Sequence, residues 1–96
     1  MRRFQKTWNQ IVTEALVREK FTTSGRPSGR PPSLGYFVAR CSRRGKAGQV
    51  VLEIDGGNRT LRKILPDGRA YTHPNCSAEM AIQVIASAAL DADFSN

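Results

Sequence analysis

Residues 22–33, TTSGRPSGRPPS, hold three prolines and two glycines in twelve positions. Proline removes a backbone donor and glycine frees the backbone, so this stretch can be neither a helix nor a central strand. It divides the chain into parts with different hydrophobic periods. Before it, apolar residues recur with the period of a helix. After it, they alternate as on strands. A basic Pro/Gly-rich linker over 22–33 therefore separates an N-terminal helix from a sheet-forming region.

Phe4, Trp8, Ile11, Val12, Ala15 and Leu16 fall on one face of a helix over 4–20. Residues 35–72 read as an antiparallel sheet. Tyr36–Cys41 and Gln49–Asp55 are rich in β-branched and aromatic residues, with Ser42–Gly48 as the loop between them. Gly56-Gly57-Asn58 marks a hairpin, and Pro66-Asp67-Gly68 a turn, so Thr60–Leu65 is a third strand and Arg69–Thr72 a short fourth. Ser77 is the expected N-cap of a second helix over 77–90, whose five alanines allow close approach to a sheet. Residues 91–96 are expected to fray. The fold class is α+β: a helix, a three- or four-stranded antiparallel sheet and a helix (αβββα-like), with both helices on one sheet face.

The length of 96 residues suits a single domain over 1–96, and an aromatic content of 7% implies an aliphatic core. No apolar run reaches the roughly 18 residues of a membrane span. Met1-Arg2-Arg3 leads into polar residues rather than an apolar block. A cytoplasmic location is expected, with Cys41 and Cys76 as two free thiols in a reducing compartment.

From Lys20 to Leu52 there are seven basic residues and no acid, whereas the rest of the chain balances eight against eight. The net charge of +7 therefore lies in one third of the sequence. Such a field suits a polyanion, so nucleic acid, as duplex or structured RNA or as DNA, is the expected partner. Arg43, Arg44 and Lys46, on a Gly-flanked loop between strands, are the leading contacts. Arg26 and Arg30 on the linker could act as a basic arm. Arg40 and Arg62 are expected on the uncovered sheet face, with Tyr36 and Tyr71 as possible stacking partners. His73-x-x-Cys76 has metal-ligand spacing but lacks the second pair a structural zinc site uses, so no metal or cofactor is expected. No nucleophile–base grouping, phosphate loop or clustered carboxylates point to catalysis.

The linker's two Gly-Arg-Pro copies resemble the core of an AT-hook, with Ser24 and Ser28 where that motif places its first arginine. The helix–strands–helix order, together with Ser77, Ala81, Ala86, Ala89 and Leu90 at matching spacings, resembles the double-stranded RNA-binding domain. That resemblance implies the αβββα fold over most of residues 4–90. The family's RNA-gripping lysines do not carry over, because Ala78, Glu79 and Ile82 stand in their places. In size and element order the chain also resembles short phage and mobile-element proteins, such as anti-CRISPR inhibitors and toxin–antitoxin components. The partner implied there is an acidic protein surface met by the basic loop. A homodimer, through an edge strand or the Ala-rich helix, is a further expectation.

Overall fold

Helix α1 (Trp8–Arg18) starts where side chains can cap it. Thr7 Oγ1 accepts the Gln10 amide at 3.1 Å, and Gln10 Oε1 accepts the Thr7 amide at 2.8 Å. This reciprocal box satisfies two of the amides that a helix start leaves without partners. The computed structural model describes residues 6–23 and 38–94. Within them the helix begins later than the expected 4–20, because Lys6 and Thr7 are not helical; Phe4 and Gln5 lie outside the described residues.

The helix also ends earlier than expected. Lys20 takes the left-handed conformation, with φ 64°. Its amide donates to the Val17 carbonyl at 3.0 Å, and the Phe21 amide donates back to Leu16 at 2.9 Å. These two bonds form a Schellman stop, closed by the buried pair Leu16 and Phe21.

The sheet has five strands: β1 (Thr22–Thr23), β2 (Val38–Gly45), β3 (Gly48–Asp55), β4 (Thr60–Ile64) and β5 (Ala70–His73). They pair in sequence order, each antiparallel to the next. The count exceeds the expected three or four by β1, an edge strand made from the first two residues of the 22–33 stretch. The rest of that stretch lies outside the described residues. β2 also runs further than expected. The seven-residue loop foreseen over Ser42–Gly48 is instead continuous strand closed by a turn at Lys46 and Ala47, with Gly45 opposite Gly48. Gly48 sits at φ 128°, a conformation that favours glycine.

The register settles the faces. Cys41 lies opposite Leu52, Arg43 opposite Val50, Leu61 opposite Ile54 and Lys63 opposite Leu52. Val50, Leu52, Ile54, Leu61 and Cys41 are buried in one cluster with Val12, Ile85 and the alanines of helix α2 (Ala78–Phe94). Each fully buried aliphatic side chain contributes roughly 1.5–3 kcal/mol of burial free energy. α2 lies against β2, β3 and β4, and α1 packs on α2, so both helices cover the same sheet face. Trp8 is buried there, its Nε1 donating to the Cys76 carbonyl at 2.9 Å. The other face bears Arg40, Arg44, Glu53 and Arg62.

α2 starts as expected, with Ser77 Oγ accepting the Met80 amide at 3.1 Å. Its end differs. Residues expected to fray are helical through Phe94, and Ala92 is fully buried. No helix among the described residues is long and apolar enough to cross a membrane.

Candidate functional site

Adjacent strand residues point to opposite faces, so Arg43 and Arg44 part company. Arg43 turns under the helices. Its Nη1 donates to the Glu19 carbonyl at the end of α1 at 2.8 Å, and its Nη2 donates to Asp93 in the last turn of α2 at 2.7 Å. The side chain is only 20% exposed. Arg43 was expected among the leading ligand contacts. It is instead placed as a strut between β2, α1 and α2, because the strand continues through it and fixes its side.

Arg44 and Lys46 remain at the hairpin tip, both exposed. The tip is tied to α2 from below. The Ala47 amide donates to the Ala92 carbonyl at 2.8 Å. Gly45 lies so close to Ala92 and Asp93 that a Cβ there would collide with their atoms. The contact from Arg43 to Glu19 brings the end of α1, with Arg18 and Lys20, beside the same hairpin.

The ion pairs show which cations the fold has committed. Lys6 pairs with Glu14, Arg40 and Arg62 with Glu53, Arg43 with Asp93, Lys63 with Asp91 and Arg69 with Asp67. Arg18, Lys20, Arg44, Lys46 and Arg59 have no ion-pair partner among the described residues. The first four of these belong to α1's end and the β2–β3 hairpin. Arg59 sits in the β3–β4 turn, at the far end of the sheet. Sequence reasoning placed Arg18 on the polar face of the first helix but did not select it as a contact, because it lies before the acid-free stretch. Lys20 was counted in the acid-free stretch but not chosen as a contact.

On the uncovered face, Arg40 and Arg62 appear where alternation places them, 61% and 50% exposed. They flank Glu53, which accepts from Arg40 Nη1 at 3.3 Å and from Arg62 Nη1 at 3.1 Å. This trio borders a shallow groove of ≈ 420 Å³, which Thr60, Thr72 and Asp55 also line. Tyr71 is not on this face. It lies opposite Lys63 on the helix side, where the Lys63 ammonium stands 5.9 Å from its ring centroid. Arg26, Arg30 and Tyr36 lie outside the described residues.

The Asn58 side-chain amide, helped by the Asn58 and Gly57 backbone amides, holds the Asp55 carboxyl below its ordinary value. The Arg69 backbone amide, with its guanidinium, does the same for Asp67. Burial pushes the thiols of Cys41 and Cys76 up; both are free and buried. The Cys76 thiol donates to the His73 carbonyl, at 3.3 Å, rather than meeting its ring. No group of three or more His, Cys, Asp or Glu able to hold a metal ion occurs among the described residues.

The fold defines a small α+β protein with a helix–antiparallel sheet–helix order. Comparison with protein-family models, with curated proteins and with solved structures gives no match.

Proposed function

We propose that the chain is a small non-enzymatic nucleic-acid-binding module that meets phosphates with the tip of the β2–β3 hairpin and the adjoining end of α1. One observation carries this reading: among the described residues, four cations without ion-pair partners lie on the β2–β3 hairpin (Arg44 and Lys46) and at the end of α1 that Arg43 ties to β2 (Arg18 and Lys20). Cations without a carboxylate partner attract a polyanion more strongly than paired ones, and Glu19, between Arg18 and Lys20, offsets only part of their charge. The Ala47–Ala92 hydrogen bond keeps the tip in place, so little order is lost on binding. RNA is favoured over DNA because the element order is compatible with the double-stranded RNA-binding domain. The grip differs from that family's, since α2 opens with Ala78 and Glu79. A reducing, cytoplasmic setting suits the two buried thiols.

Fluorescence anisotropy with labelled duplex RNA, duplex DNA and single strands, each at several salt concentrations, tests this. Neutralising about four phosphates gives a log–log salt slope of roughly −3.6 on duplex DNA. Replacing Arg44 and Lys46 with Ala should weaken binding and reduce that slope by about 2. A flat salt response refutes the reading. If binding is flat and an acidic protein is captured through nuclease digestion, the protein-docking expectation replaces it.

A further inference from the structure

We propose that the uncovered sheet face is a second subsite, which takes an unpaired stretch of the nucleic acid and holds a guanine against Glu53. The proposal rests on the phosphate-binding reading above and adds a substrate class to it.

The placement comes from register. Arg44 and Arg40 project from the same face of β2, four residues apart, or about 13 Å along the strand. Arg40 and Arg62 stand on either side of β3, about 10 Å apart across two strand spacings. Val51 and Ile64 lie opposite each other between these rows, giving a partly buried apolar floor. A strand leaving the hairpin tip at Arg44 can therefore cross Val51 and Ile64 and reach the Arg40 and Arg62 guanidiniums.

The chemistry of the groove excludes a ligand that is only phosphate. Glu53 sits between the two arginines and is 34% exposed, so a bare anion would meet its charge. Each carboxylate oxygen takes one N–H, at 3.3 and 3.1 Å, and retains acceptor capacity. Each guanidinium likewise has further N–H donors beyond the one given to Glu53. The site thus presents donors at its flanks and acceptors at its floor. A nucleotide is the complement, with phosphates on the guanidiniums and a donor-bearing base edge on the carboxylate. Guanine carries two adjacent N–H donors, matching two carboxylate oxygens. Pairing in a duplex hides that edge, so the occupant is an unpaired base. The groove of ≈ 420 Å³ lies within the range of small-molecule sites. Asp55, at its end, is already engaged by Gly57 and Asn58 and does not compete.

The test uses the full chain and ten-nucleotide RNA strands of uridine, one with a central guanosine, one with inosine at that position and one with uridine throughout. A duplex is the fourth probe. Wild type should bind the guanosine strand about tenfold more tightly than the all-uridine strand, with inosine between them. Glu53→Gln should bring the three strands within about twofold of each other while keeping overall binding. Arg40→Ala with Arg62→Ala should weaken single strands about tenfold and leave the duplex within about twofold. Arg44→Ala with Lys46→Ala should weaken both. Circular dichroism melting confirms that each variant is folded. Single-strand binding unaffected by the Arg40 and Arg62 changes, or a guanosine preference that survives Glu53→Gln, overturns the subsite and leaves the hairpin reading standing. No salt-dependent binding of any probe by wild type overturns both.

Discussion

Arg43 and Arg44 are neighbours in sequence, yet the structure gives them opposite work, and replacing each in turn separates the two. Arg43→Met keeps most of the aliphatic stem and removes the charged head. Two charge-assisted hydrogen bonds disappear, to Glu19 O at 2.8 Å and to Asp93 at 2.7 Å. Hydrogen bonds to charged groups contribute about 1.5–3 kcal/mol each when removal leaves a buried partner. Here Arg43 is 20% and Asp93 33% exposed, so water recovers part of the loss. The expected destabilisation is about 2–3 kcal/mol in total, a fall in Tm of about 10–20 °C for a domain of this size. Urea unfolding followed by circular dichroism measures it. In a double-mutant cycle with Asp93→Asn, the coupling should be about 1 kcal/mol. Arg44→Met should change stability by less than about 0.5 kcal/mol while weakening nucleic-acid binding. Equal and small stability losses in the two variants would refute the assignment of Arg43 as a strut.

Three further outcomes follow from the same geometry. Gly45→Ala puts a methyl group into Ala92 and Asp93 and should cost about 2–3 kcal/mol or abolish folding, read by urea unfolding. Lys20→Gly relieves a left-handed non-glycine residue at the Schellman stop and should raise stability by about 0.5–1 kcal/mol in the same assay. Asp55 and Asp67 have carboxyls depressed on folding, so their contribution is complete above the unfolded value, about 3.9, and is lost as pH falls through the folded one. Asp55→Asn should therefore flatten the acid limb of the stability–pH curve below about pH 4, measured by urea midpoints at stepped pH.

Much of the architecture was legible because local signals agreed with one another. Ser77 before an alanine-rich run is a helix start, and Val50, Leu52 and Ile54 alternate as a half-buried strand must. The double glycine and the Pro-Asp-Gly turn fell between strands. The alternation also placed Arg40 and Arg62 on the uncovered face. The hairpin was misread because Ser42–Gly48 is polar and charged, which resembles a loop. Its first four residues, Ser42–Gly45, in fact complete an eight-residue strand, and the pairing with β3 that proves it is non-local. Once the loop shrinks to Lys46 and Ala47, parity alone sends Arg43 inward and Arg44 outward. Tyr71 was misassigned for the same reason: its side depends on the β4–β5 register, which the turn sequence did not specify.

The end of α2 shows why the sequence-based expectation of a frayed tail failed, and why the cations divide into two sets. Asp91 and Asp93 stand at the negative end of a helix dipole, an arrangement that costs about 0.3–1 kcal/mol per charge for an isolated helix. Alone, such a helix would unwind there. The sheet supplies the missing counter-charges from outside. Lys63, 13% exposed, reaches Asp91 at 2.7 Å, and Arg43 reaches Asp93 at the same distance. The last turn of α2 then becomes a platform on which the hairpin rests, through Ala92 O and the close contact at Gly45. Two cations on the helix face are neutralised so that the hairpin can be held, and the residues on its tip and outer face, Arg44 and Lys46, keep their charge. Asp93 of α2 and Glu53 of β3 therefore determine which of the described basic residues of the acid-free stretch stay available to a ligand.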